Sequence, residues 1–132
     1  MTTTNPKPAS VVETLRAARA LIEDPKHWTK GALAKPGKRS ADEETVNVND
    51  PIAGAWCAVG AITRVDGAYE SLALIALAKA IGSIGTFYPD TAKNDIIYYN
   101  DLGSTRHRGV MRAFDKAIAL AEQATLALAV PA

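Results

Sequence analysis

The sequence predicts a compact, mainly all-α fold of five to six helices around one core, and three observations carry that prediction. Apolar residues make up 48% and charged residues 22% of the 132 residues, the balance of an ordinary globular chain. Much of the apolar share is alanine, the strongest helix former, whose small side chain lets helices approach closely. Apolar residues recur at helical spacing in several stretches, each bounded by residues that start or stop helices. A chain of this size buries roughly two-thirds of the surface its unfolded form exposes, so one core suffices. The expected organisation is a mobile tail at 1–9 and a single helical domain at 10–132.

The tail, MTTTNPKPA, has nothing to bury. Ser10 followed three residues later by Glu13 is a capping box, and Val12, Leu15, Ala18, Leu21 and Ile22 then form the apolar stripe of a first helix. Asp24-Pro25 stops that helix and starts a short new turn, with Asp24 as its cap and His27 and Trp28 riding on it. Residues 35–50, KPGKRSADEETVNVND, carry charges and turn formers and read as a long surface loop, in which Thr45, Val46 and Val48 suit a strand or hairpin arm.

Helix is expected again from Pro51 to Val65, with Gly60 where a neighbouring backbone can approach and Asp66-Gly67 as its end. Residues 68–81 are apolar on nearly every side, which predicts the central, most buried helix. Asp90 to Tyr99 suits a short helix or a brief strand, and Asn100, Asp101 and Gly103 suit a turn. Thr105 is placed to cap a last helix striped by Val110, Phe114, Ala117, Ile118 and Ala121.

A net charge of +1, with basic residues scattered, supplies no field for phosphate backbones or anionic membranes, so neither nucleic acid nor membrane is an expected partner. A single cysteine excludes an internal disulfide and suits a reducing compartment. No secretory leader and no apolar run of the ~20 residues that cross a bilayer is evident, so the expected location is cytoplasmic. Two histidines and one cysteine far apart lack the spacing of a zinc site. Phosphate-binding loops, dinucleotide glycine motifs and nucleophile elbows are also missing, so no metal and no cofactor is expected.

Two sets of residues merit attention. Cys57, His107 and Asp101 supply the thiol, base and orienting group that nucleophilic catalysis requires, and a thiol near a helix N-terminus is activated by the helix dipole. The structural reading is the stronger, because free cysteines are commonly buried and Cys57 has apolar neighbours in GAWCAVGA. Trp28, Trp56, Tyr99, Asn100 and Asp101 form the second set, aromatic walls and amide groups suited to a ligand or partner surface. Asx residues at turns also bond their own backbone, and buried tryptophans often only cover a core.

The segments ETLRAARALIEDPKHW, GALAK, AWCAVGAI and YYNDLGSTRHRGVMRAFDKAI, in that order, resemble an uncharacterised family of small bacterial and phage proteins, a domain of unknown function. The resemblance runs from about Leu15 to Ala121. Its distinctive positions here are Trp28, Cys57, Gly60, Ala61, Asn100, Asp101, His107, Val110 and Ala117-Ile118. It implies a helical domain of bacterial or phage origin, without an established activity. The first functional expectation is a small soluble binding protein for an unknown protein or small molecule, with a phage or host-defence role by analogy. The alternative is a cysteine-dependent hydrolase or transferase using Cys57 and His107. A homodimer through the apolar surplus of the 68–81 helix is a third expectation.

Overall fold

The computed structural model describes residues 10–37, 45–67, 71–83 and 88–129, so the expected tail and part of the 35–50 loop lie outside the described residues. Among the described residues are five α-helices: α1 (Val11–Leu21), α2 (Ala58–Asp66), α3 (Leu72–Ala80), α4 (Pro89–Asp101) and α5 (His107–Ala129). A 3-10 turn at Pro25–His27 follows α1, and the strands β1 (Ala34–Pro36) and β2 (Ala53–Trp56) form a small antiparallel sheet.

The start of α1 is as its sequence requires. The Ser10 side chain accepts from the Glu13 amide at 3.1 Å, and Leu15, Ala18 and Ile22 are fully buried. Asp24 caps the 3-10 turn by accepting from the Lys26 amide. Gly67 ends α2 in the left-handed conformation, with φ 76°. Along α5, Val110, Phe114 and Ala117 face the core, with Ile118 and Ala121 partly covered.

Four expectations are corrected. The strand arm is Ala34–Pro36 rather than 45–48, and its partner is Ala53–Trp56, which the apolar spacing alone assigns to helix. Val46 donates its amide to the Ala34 carbonyl, and Val48 is buried, accepting from Trp56 Nε1 at 3.0 Å. Apolar spacing over four residues cannot separate strand from helix, and here the edge of β1 offers partners for the backbone. Asn100 and Asp101 are the last turn of α4 and not a loop, so the short element there is a full helix of 13 residues. Arg106, not Thr105, precedes the first residue of α5, and its carbonyl accepts from Gly109 and Val110.

The fourth correction concerns burial. The most enclosed run is Ala58–Thr63 of α2, while α3 leaves Leu72 at 65% exposure and Ile75 and Ala76 only partly covered. α3 packs between α4 and α5, and α1 lies against α2 and α5. Ion pairs Arg16–Glu122 and Arg19–Asp115, both at 2.7 Å, set α1 antiparallel to α5. Exposed pairs of this kind contribute at most about 1 kcal/mol each, so apolar burial carries the packing.

Gly60 enables the contact between helix and hairpin. A Cβ there would lie 1.9 Å from the Leu33 carbonyl oxygen, which also accepts from the Cys57 amide. Gly60→Ala should therefore cost about 3 kcal/mol or more by chemical denaturation, whereas Gly103→Ala, with open space around it, should stay within about 0.5 kcal/mol. Equal stability of the two variants would refute this account of the contact.

Candidate functional site

Of the residues singled out in the sequence, Trp28 and Asp101 meet around one amide, that of Asn100. Asn100, fully buried near the end of α4, uses its whole hydrogen-bonding capacity. Its Oδ1 accepts from Trp28 Nε1 at 2.8 Å and from the Ala58 amide at 3.1 Å. Its Nδ2 donates to the Thr29 carbonyl and to Asp101 Oδ1, both at 3.0 Å. Asp101 Oδ1 also accepts from the Gly31 amide at 3.0 Å. Lys30 reaches the Leu102 carbonyl with its Nζ, which lies 5.6 Å from the Trp28 ring centroid.

His107 completes the arrangement from the start of α5. Its ring sits edge-on to Trp28, with centroids 5.8 Å apart, and its Nε2–H donates to the Ile22 carbonyl at 2.7 Å. A carbonyl only accepts, so that nitrogen carries the proton. His107 thereby joins the end of α1 to the start of α5.

Cys57 lies immediately before α2 rather than one or two turns inside it. Its Sγ accepts from the Gly60 amide at 3.3 Å, and the residue is 2% exposed. Burial pushes the thiol pKa up to about 11, and the charge of Asp101 adds to the rise; amide donors, Gly60 foremost, oppose it only in part. The helix-end position is therefore present, but desolvation dominates over the dipole.

Trp56 and Tyr99 stand outside the hub. Trp56 is buried with its indole bonded to the Val48 carbonyl, and Tyr99 donates its hydroxyl to the Gly109 carbonyl at 3.3 Å, tying α4 to α5. Of the two tyrosines before Asn100, Tyr98 projects outward at 71% exposure. Among the described residues, no group of three or more His, Cys, Asp or Glu is arranged to hold a metal ion, and no helix is long and apolar enough to cross a membrane.

A different region offers open space. A groove of about 400 Å³ runs between α1, α3 and α5, walled by Val11, Leu72, Ile75, Leu120 and Ala121, with Lys79 as its single charged lining residue. None of the candidate residues of the sequence lines it. The signal that pointed there was the apolar surplus of α3, whose uncovered face forms one wall.

Asn100→Ala would strand the Trp28 indole, the Ala58 amide and the Thr29 carbonyl, and should cost about 3 kcal/mol or more in denaturant titrations. Asp101→Asn keeps an acceptor for Gly31 and should cost about 1 kcal/mol or less. A mild effect of the first substitution would mean that the amide is not the hub.

No curated protein and no solved structure matches the chain. A family described as one of unknown function, DUF6197, matches residues 6–120, nearly the whole of the described helical domain. The chain belongs to that family.

Proposed function

We propose that this chain is a cytoplasmic, non-catalytic binding protein whose ligand occupies the groove between α1, α3 and α5, and whose cysteine, histidine and asparagine serve as a structural pin. The observation that carries this reading is the contrast between the two regions. Both the oxygen and the nitrogen of the buried Asn100 carboxamide are fully partnered inside the protein, whereas the groove leaves large apolar side chains uncovered among the described residues. Open apolar clefts with few polar groups are the usual form of ligand sites.

A hydrolase would need an accessible thiolate near a base. Cys57 is buried with a raised pKa, and the Nε2 of His107 is engaged by the Ile22 carbonyl. Both features favour the structural role.

Labelling with a thiol reagent tests the choice. At neutral pH the wild-type thiol should react at least about a hundredfold more slowly than an exposed cysteine, since its thiolate fraction is smaller by that order and its sulfur is enclosed. Fast labelling below neutrality would restore the nucleophile.

The raised pKa also has a sign for stability. An unfolded chain ionises Cys57 near its ordinary value of about 8.5, while the folded chain holds the proton to about 11. The stabilising contribution is complete below about pH 8.5 and is lost as pH rises towards 11. Wild type should therefore lose about 1.4 kcal/mol per pH unit more than Cys57→Ser across that window, read as the difference between their denaturation profiles. Parallel profiles would contradict the burial.

A further inference from the structure

We propose that the groove takes a single-tailed anionic amphiphile, such as a fatty carboxylate, with its head beside Lys79 and its tail running towards Leu72 and Val11. The inference rests on the groove being the binding site and adds the chemistry of what enters it.

The groove has polarity along its length. Ala80 and Ile81, which follow Lys79, line a neighbouring hollow with Arg112 and Lys116 of α5. The groove itself extends along α5 from Ala117 to Thr125. α3 therefore runs antiparallel to α5, with Lys79 at the Ala117 end and Leu72 at the Thr125 end. The N-terminus of α1 lies at that second end too, because α1 is antiparallel to α5.

The single charged residue of the lining, Lys79, lies at the first end. Lys79 makes no ion pair among the described residues, and Arg112 and Lys116 in the adjoining hollow add two further exposed cations with no carboxylate in its lining. The lining of the far end carries no charged side chain. Ser10 already accepts from the Glu13 amide, and Thr125 donates its hydroxyl to the Ala121 carbonyl. Between the ends the walls are aliphatic, with Leu72 65% and Leu120 44% exposed. The volume of about 400 Å³ falls at the small-ligand end of binding cavities. A ligand matching these features has one negative head and one apolar chain, whose burial against the aliphatic walls drives binding.

The test uses the whole chain. Because Cys57 is buried, Ala76→Cys places one accessible thiol in the groove wall as a reporter. It should label rapidly with a maleimide while wild type does not. Dodecanoate below its micelle concentration should protect that thiol and raise the melting temperature of wild type. Dodecyltrimethylammonium should bind at least about tenfold more weakly. Lys79→Gln, an exposed change that leaves the fold intact, should weaken dodecanoate by about tenfold and leave dodecanol unaffected. Ala121→Trp, checked for folding by circular dichroism, should abolish binding of both.

Slow labelling of Ala76→Cys would mean that the groove is covered, which overturns the binding-site reading and this inference together. Rapid labelling without protection by any of the three amphiphiles overturns the ligand class while leaving the groove open to another occupant, such as a partner helix. Equal binding of all three head groups, or indifference to Lys79→Gln, overturns the assignment of an anionic head.

Discussion

The Asn100 carboxamide lies where three segments of chain converge, and its four hydrogen bonds determine how they are held. One oxygen receives the Trp28 indole and the first amide of α2, while one nitrogen serves the Thr29 carbonyl and the Asp101 carboxylate. Such an amide is stable in a core only when fully partnered, because each polar group left bare costs about 1–3 kcal/mol. Burial and satisfaction therefore come as a set. The 28–31 segment, the start of α2 and the end of α4 are held in one relative position by a side chain of a few atoms.

Around that amide the neighbouring contacts point the same way. Asp101 takes the Gly31 amide, Lys30 reaches the Leu102 carbonyl, and His107 ties α5 to the end of α1. Gly60 adds a steric condition, since only a residue without a side chain lets α2 seat against the Leu33 carbonyl. The hairpin between α1 and α2 is thus locked by hydrogen bonds on one side and by close backbone packing on the other.

This architecture changes what a cysteine, a histidine and an aspartate mean when they come near each other. Proximity alone makes a catalytic group plausible, but each of these side chains is already bonded within the protein. Sγ accepts from an amide, Nε2–H donates to a carbonyl, and Oδ1 accepts from two N–H donors. The apolar surface that the packing leaves open is elsewhere and of the opposite character, an aliphatic cleft with Lys79 at one end and Arg112 and Lys116 in the adjoining hollow.

Local signals were legible without coordinates. Ser10 with Glu13, Asp24 before Pro25, Gly67 after α2 and the stripe of α5 all act through bonds and contacts within a few residues, so residue order alone determined them. The helical class was readable from the recurring apolar spacing, and Gly60 was marked as a place for a neighbouring backbone, although that neighbour, Leu33, lies far from it in the chain. The tertiary structure decided the rest. Ala53–Trp56 became a strand because β1 stood beside it, and Asn100 became a buried hub because Trp28, 72 residues away in the chain, pointed its N–H there. The groove exists only where α1 and α5, far apart in sequence, fail to close over α3. Non-local pairing and packing leave no trace in the spacing of neighbouring residues, which is why these features needed the fold to become visible.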